Sequence, residues 1–273
     1  MPYEEEIEMG VPMDIVHPRK ARKSARKTKD GDKPVVSDKH AENRLAKVVE
    51  LVPKTENQAK ALQLLKQRQV CVLRGSSGSG KTFLACTHGA NEYLKGNYKR
   101  IVLIRPYEQL GRSIGLRPGS GDEKLRPLMQ SMLQTLERVF GRPELEAKIA
   151  AGNIVLEALE DCRGRSYADS FVVVDEGQNV DSHSMKALVT RLEDTSQLVI
   201  CGDGKQKDTK SDSGIDKLCA VMDKVRREKP SYLTEEDMRH AYENFGVVTF
   251  TNEDVVRGGF TAMMVKVIDE DWN

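Results

Sequence analysis

The sequence lacks most of the features that mark a secreted, membrane-spanning or metal-clustering protein. It has no apolar run close to the roughly 18 residues that a membrane span needs. Its first residues are acidic and carry no hydrophobic signal region, which disfavours secretion. The five cysteines are odd in number and form no C-x-x-C pair, so we expect reduced thiols and a cytoplasmic location. The histidines have no metal-ligand spacing.

Aromatic residues and net charge are also scarce, which limits how the chain can recognise a partner. Aromatics make up 5% of the residues, so a base-stacking platform is not expected. The net charge of +1 steers no partner strongly. Residues 1–41 are predicted to be a disordered charged tail, with seven Lys or Arg residues between positions 19 and 29. This basic run is either a solvated arm or an arm that lies on nucleic acid.

The chain does contain a phosphate-binding pattern, and it follows a short apolar run. Residues 75–82 fit G-x-x-x-x-G-K-[ST], in which the glycines let successive backbone N–H groups point at an anion. A helix that begins where the loop ends adds its positive end at the same point. Lys81 can reach the β- and γ-phosphates of a nucleotide, and the hydroxyl of Thr82 can ligate Mg²⁺.

A flexible Ser/Gly linker is the alternative interpretation of this loop, but an apolar β-branched run rarely precedes a linker. We therefore predict an ATP site. Its nucleotide contacts are expected at Gly75, Ser76, Ser77, Gly78, Ser79, Gly80, Lys81, Thr82 and Phe83.

The rest of the sequence alternates between helical patterns and apolar runs. Helices are predicted at residues 42–52, 56–67, 83–94, 123–140, 184–192 and 214–227. Strands are predicted at residues 70–74, 100–106, 153–159, 171–174, 198–202 and 247–251. This alternation predicts an α/β domain over residues 42–273, in which helices cover both faces of a mostly parallel sheet.

Charged side chains follow several predicted strands at their carboxyl ends, where open α/β sheets bind ligands. Asp175 and Glu176 follow one strand, and Asp203 with Gln206 follows another. In P-loop NTPases an acid at such a position holds Mg²⁺, and a neighbouring acid or Gln orients the attacking water. The sequence therefore predicts Thr82 and Asp175 as the metal ligands and Glu176 as the group that activates water.

Three arginines also fall at strand ends, namely Arg105, Arg163 and Arg165. The simplest interpretation of the last two is a surface position, or pairing with the carboxylates of Asp161 and Asp169. Contact with phosphate or RNA is the alternative.

In this order along the chain, the motifs resemble the PhoH family. The matching segments are residues 75–82, 105–106, 114–119, 123–124, 163–166, 175–179, 190–192, 202–208 and 254–257. The resemblance covers about residues 53–270 and implies a three-layer P-loop NTPase with a RecA-like core, similar to the first RecA-like domain of superfamily 1 helicases. The chain departs from the family pattern at Arg112, Gly177 and Gly258, where the family usually has Glu, Ala and His.

The resemblance also implies roles for single residues. It casts Gln58 as a contact to adenine, although the residues alone leave a plain surface position equally open. It makes Gln206 a sensor of the γ-phosphate and places the family's arginine at Arg257. The catalytic set is then Lys81, Asp175, Glu176, Gln206 and Arg257. The nucleic-acid contacts are expected at Arg105, Arg112, Arg117, Arg163 and Arg165.

Together these features predict Mg²⁺-dependent ATP hydrolysis coupled to the binding or remodelling of RNA or single-stranded nucleic acid. By likeness to RecA-like rings we expect a homo-oligomer, a hexameric ring, with Arg257 near the ATP site of a neighbouring subunit. The compact form and the basic arm would suit a phage-encoded member. The alternative function is a nucleotide-gated RNA-binding or scaffold protein with negligible turnover. A small-molecule kinase is disfavoured, because the acid motifs resemble those of helicases.

Overall fold

The computed structural model of the chain describes residues 47–106, 125–162, 164–203 and 213–256, with positions 258–260, 263–264 and 267 beyond them. The predicted tail at residues 1–41 lies outside the described residues. The strands are β1 (Val70–Gly75), β2 (Arg100–Arg105), β3 (Ile154–Ala158), β4 (Ser170–Val174), β5 (Gln197–Gly202) and β6 (Phe245–Phe250). They form one sheet in the order β3–β2–β4–β5–β1–β6, and each neighbouring pair runs parallel.

Helices pack on both faces of this sheet. They are α1 (Glu56–Gln67), α2 (Lys81–Leu94), α3 (Gln130–Phe140), α4 (Arg142–Ala150), α5 (Ser182–Val189), α6 (Gly214–Glu228) and α7 (Glu235–Glu243). The side chains of Thr55, Asp181 and Ser213 accept hydrogen bonds from the first amides of α1, α5 and α6, which fixes where these helices begin. Among the described residues, no helix combines the length and the apolar character needed to cross a bilayer.

The strands bury side chains on two sides because successive residues point to opposite faces of a sheet. Leu73 and Val173 lie in one apolar cluster, which also contains residues of α1, α2, α3 and α4. Val72 and Val174 lie in the other, with residues of α5 and α6. Burial of one such side chain stabilises the fold by roughly 1.5–3 kcal/mol. The predicted three-layer α/β architecture is thereby confirmed.

The strand order determines which loops become neighbours. Because β5 lies between β1 and β4, Asp203 at the end of β5 lies between the phosphate loop and the acidic loop after β4. All these loops leave the sheet at its carboxyl edge, since the strands are parallel. Lys81, Asp175 and Asp203, which lie far apart in sequence, are therefore brought to one edge.

The predicted helix at residues 42–52 is wrong over its described part, since residues 47–52 are not helical. The backbone of Val49 in this stretch bonds instead to the side chain of Asn91 in α2. Its Oδ1 accepts from the amide of Val49 at 2.8 Å, and its Nδ2 donates to the carbonyl of Val49 at 2.7 Å. Within the helix predicted at residues 123–140, residues 123–124 lie outside the described residues, residues 126–129 form turns, and α3 begins at Gln130. The sequence does not predict helices α4 and α7.

Candidate nucleotide site

The loop after β1 has the backbone conformation that phosphate binding requires. Gly75 has a φ of +130°, and a Cβ there would lie 2.0 Å from the carbonyl oxygen of Phe250 in β6. Gly80 precedes α2 with a φ of +90° and has no side chain to cap the helix. The first amides of α2 and the positive end of its dipole therefore point at the loop, where an anion would be stabilised.

The side chain of Lys81 closes this loop on itself. Its Nζ donates to the carbonyl oxygens of Gly75 and Ser76 at 2.6 and 2.8 Å. Lys81 is only 8% exposed. Burial lowers the pKa of its ammonium group, against the opposing effect of nearby negative groups that include Asp203 and Asp175. The lysine thus lies at the base of the loop, on carbonyl partners that a phosphate can replace.

Thr82 and Asp175 meet across two elements. Thr82 Oγ1 donates to Asp175 Oδ1 at 2.7 Å, and the amide of Asp175 donates to the carbonyl of Ile104 at 3.0 Å. A hydroxyl and a carboxylate suit Mg²⁺, which binds one or two carboxylates together with phosphate oxygens and waters. Within the described ranges, no group of three or more His, Cys, Asp or Glu could hold a metal ion alone. The hydroxyl of Thr82 and the carboxylate of Asp175 fit a Mg²⁺ ion whose other ligands would be phosphate oxygens and waters.

Glu176 has an unusual backbone and a carboxylate held at both oxygens. Its φ of +53° is uncommon for a residue with a side chain. Its Oε2 accepts from Nε2 of Gln178 at 2.7 Å, and its Oε1 lies 3.4 Å from Nη2 of Arg105. The other end of the Gln178 amide accepts from the backbone amide of Asp203 at 2.9 Å. Gln178 therefore joins the loop after β4 to the end of β5. Gln206 lies outside the described residues.

A cavity of about 310 Å³ connects these groups. Its walls include Lys81 and Thr82 on one side and the three acids Asp175, Glu176 and Asp203 on the other. A third wall is a polar face of α3 that the sequence analysis missed. It consists of Ser131, Gln134, Thr135 and Arg138, which lie on one side of the helix by their i, i+3, i+4, i+7 spacing.

Gln58 lies behind the phosphate loop rather than at its surface. It is fully buried, its Oε1 accepts from the amide of Lys54 at 2.8 Å, and its Nε2 donates to the carbonyl of Ser79 at 3.0 Å. Of the two positions left open for Gln58, the plain surface position is wrong. Contact with adenine stays a prediction, and it would have to use the donor and acceptor sites that the backbone partners of Gln58 leave open.

The turn after β6 ties α1 to the phosphate loop. Asp254 is 2% exposed, and its Oδ2 accepts from Nδ2 of Asn57 and from the amide of Thr251, each at 2.8 Å. These hydrogen bonds lower the pKa of Asp254, although burial, the largest single effect, acts to raise it. In the same turn Asn252 accepts a hydrogen bond from Ser76. Arg257 follows this turn and lies outside the described residues.

The predicted nucleic-acid contacts fall in different surroundings. Arg105 turns inward to Glu176, with 18% of its side chain exposed. Arg165 pairs with Glu157, since its Nε lies 3.3 Å from Oε1. For Arg165 this pairing replaces the expected partners Asp161 and Asp169, although its side chain also lies at the surface, and Asp169 pairs with Lys99 at 2.6 Å. Arg112, Arg117 and Arg163 lie outside the described residues.

The fold and this site define a class of protein. A glycine loop between a buried strand and a helix, with an acid from a second strand on the hydroxyl after its lysine, is the arrangement of a P-loop NTPase. The family described as "PhoH-like protein" matches residues 50–243, and the chain belongs to this family. The family predicted from the motifs is confirmed.

Individual relatives are longer than the part that aligns with this chain. Protein PhoH2 of Bacillus subtilis is 42% identical over 164 residues, which cover 57% of this chain and 37% of that protein. A PhoH-like protein of the same organism is 28% identical over 217 residues, which cover 80% and 63%. A PhoH-like protein of Mycobacterium leprae is 34% identical over 157 residues, which cover 57% and 45%. The chain thus spans less than two thirds of each of these relatives.

Solved structures give partial likenesses. The large terminase of the thermophilic bacteriophage D6E aligns with a TM-score of 0.46 at 13% identity, over 79% of this chain and 50% of that one. The Pif1 helicase of Candida albicans aligns with a TM-score of 0.33 at 15% identity, over 73% and 40%.

Proposed function

We propose that this chain hydrolyses ATP in a Mg²⁺-dependent reaction in the cavity beside the phosphate loop. One observation carries the proposal. Lys81, the Thr82–Asp175 pair and Glu176 come from different elements and line the same cavity. Phosphoryl transfer depends mainly on positioning the phosphates and stabilising the charge on their oxygens, and these are the groups that can do both.

Each residue then has a role that follows from its chemistry. Lys81 exchanges its carbonyl partners for the β- and γ-phosphates, and the first amides of α2 donate to phosphate oxygens. Thr82 and Asp175 hold Mg²⁺, which neutralises phosphate charge when bound. Glu176 orients the attacking water and accepts its proton. Gln206 is proposed to sense the γ-phosphate.

We further propose that turnover is coupled to RNA or another single-stranded nucleic acid. The likeness of the motifs to RNA-linked ATPases of the family supports this, as does the basic run at residues 19–29. Because aromatic residues are few, the contacts should be mainly to the phosphate backbone, and affinity should fall as salt rises. The free thiols of all five cysteines fit a cytoplasmic setting.

The second candidate is a nucleotide-gated RNA-binding or scaffold protein with negligible turnover. The hydrogen bonds that already occupy Glu176 are the observation that keeps it open. The two functions share nucleotide binding and differ only in whether the bound nucleotide is consumed.

The test is the turnover of MgATP with and without single-stranded RNA, on protein whose mass is measured in solution. We expect turnover that RNA increases. Lys81→Ala should abolish ATP binding and leave the fold intact, because its side chain donates to carbonyls of the phosphate loop and is not part of the apolar core. Lys66→Ala, an exposed lysine of α1, is the matched control and should bind ATP normally. Tight ATP binding without turnover would favour the scaffold. Unchanged ATP affinity in Lys81→Ala would show that the phosphate loop is not the nucleotide site.

A further inference from the structure

The guanidinium group of Arg105 links the end of β2 to the proposed catalytic glutamate. Its Nη2 lies 3.4 Å from Oε1 of Glu176, and its Nη1 donates to the carbonyl oxygen of Leu128. A planar guanidinium can hold two acceptors in fixed directions, which an ammonium group cannot do. Arg105 does not belong to the described residues that line the cavity, so it reaches the carboxylate from outside the cavity.

Glu176 is a residue that needs such support. Its left-handed backbone, with φ at +53°, is strained for a residue with a side chain and persists only where the surroundings fix it. The second support is Gln178, which is 3% exposed and holds the other carboxylate oxygen at 2.7 Å. Gln178 is itself oriented by the backbone amide of Asp203. A side chain at the end of β2 and one from the loop after β4 thus hold the two oxygens of the Glu176 carboxylate.

We propose that Arg105 is a positioning residue for Glu176, in partnership with Gln178, and that it is not a contact to nucleic acid. The proposal rests on ATP hydrolysis as the proposed function and on Glu176 as its base. A carboxylate offers about four acceptor directions, so one donor on each oxygen leaves others that can face the cavity. A base fixed in this way accepts a proton from water at a defined place, without first having to order a flexible side chain.

The geometry disfavours the nucleic-acid role that the sequence suggests for Arg105. The side chain is 18% exposed, and both terminal nitrogens face acceptors of the protein. To turn both terminal nitrogens toward a phosphate, the guanidinium would have to leave Glu176 and the carbonyl of Leu128. When a largely buried charged group loses its partner, the loss of free energy exceeds what a new contact in water contributes.

The experiment compares Arg105→Ala and Arg105→Lys with Arg100→Ala, a matched control at the exposed amino end of the same strand. We expect kcat of Arg105→Ala to fall by about 10- to 100-fold, the loss that a misplaced catalytic group causes. The Kd for ATP and the Kd for single-stranded RNA should each stay within about twofold of wild type, the range for a residue that touches neither ligand. Arg105→Lys should recover part of kcat, because lysine keeps the positive charge but lacks the two terminal nitrogens of the guanidinium. Arg100→Ala should match wild type.

A double-mutant cycle tests whether Arg105 affects kcat through Glu176. In a Glu176→Gln background, Arg105→Ala should lower the residual kcat by no more than about twofold, because residues that act through one group are not additive. A further tenfold loss there would overturn the proposal, as would an unchanged or raised kcat in the single variant. Weakened RNA binding at normal kcat would restore the nucleic-acid role and overturn it equally.

Folding and the proposed function have separate readouts. Thermal unfolding checks each variant, and Arg105→Met, which keeps an apolar stem, replaces the alanine variant if the latter does not fold. A wild-type protein without turnover overturns the proposed function and this inference with it. If the wild-type protein has turnover and Arg105→Ala and Arg105→Met both have the same kcat as wild type, the inference alone is overturned.

Discussion

Single buried amides hold the nucleotide site in place. Gln58 and Gln178 are both buried, and each amide uses its oxygen and its nitrogen on different segments of the chain. An amide is suited to this because it donates and accepts at once without carrying charge. The positions of the phosphate loop and of the Glu176 carboxylate therefore depend in part on two neutral side chains.

Gln58→Ala tests which task this side chain performs. It removes the hydrogen bond to the carbonyl of Ser79, so we expect affinity for ATP and for GTP to fall together, by roughly 3- to 10-fold each. One hydrogen bond contributes about 0.5–1.5 kcal/mol, and 1.4 kcal/mol is a factor of ten. Titration of each nucleotide against wild type and variant gives the two ratios. A loss confined to ATP would mean that Gln58 reads adenine, as the family resemblance implies.

At the scale of elements, helices that bury little were the hardest to predict. In α4 only Leu145 is buried, and in α7 only Ala241 is buried, so neither sequence shows an apolar stripe. Helix α7 is instead fixed at its start by a capping box between Thr234 and Asp237, and at its end by Arg226 of α6, which donates to the carbonyl of Ala241. The capping box is a local signal in the sequence, whereas the contact with Arg226 cannot be inferred from local spacing.

Strand β3 carries an ionisable group in an apolar position, and this predicts how stability depends on pH. Glu157 is 3% exposed, and burial raises its pKa, while Arg165 opposes the shift. In the unfolded chain a glutamate ionises near pH 4.3. The folded protein keeps the proton to higher pH, so this residue's contribution to stability falls as pH rises from about 4.3 through the raised folded pKa.

Glu157→Gln removes that dependence and keeps the shape of the side chain. The melting temperature of the variant should exceed that of wild type by about 2 °C at neutral pH, a shift that a small change in free energy produces in a domain of this size. The advantage should vanish toward pH 4. Glu137→Gln on the exposed side of α3 reports the effect of net charge alone. A wild type that equals or exceeds Glu157→Gln at neutral pH would show that Arg165 fully offsets the cost of burial.

For the whole molecule, the parallel sheet explains why the sequence analysis reached the site. Apolar runs that end in Gly75, Asp175 and Asp203 must converge once the strands are parallel, so the carboxyl edge and its acids could be predicted. The sequence could not predict the direction of the Arg105 side chain or the polar wall on α3. Both depend on where α3 packs, and its apolar positions are the stronger signal in that stretch.

A mixing experiment can test whether subunits assemble so that a neighbour contributes to each ATP site. One P-loop domain must obtain an arginine for the γ-phosphate from its own chain or from a neighbour, and such an arginine raises turnover by roughly 10³–10⁵-fold. The predicted residue is Arg257, in a hexameric ring closed by head-to-tail contacts. Surface pairing of Arg257 with Asp254 or Glu253 is the competing explanation. Pairing with Asp254 is weakened because Asp254 is buried and already bound by Asn57 and Thr251, whereas Glu253 is exposed.

Arg257→Ala subunits, which keep their P-loops, are therefore mixed with Lys81→Ala subunits, which keep their arginines. If sites are shared between chains, the mixture should regain turnover that neither variant has alone, because some sites combine an intact P-loop with an intact neighbouring arginine. Each variant mixed with itself sets the baseline, and Arg227→Ala, an exposed arginine of α6, is the matched control. Mass measurement confirms that subunits exchange. A wild-type protein that stays monomeric at full ATPase activity would place the arginine within the chain and rule out the ring.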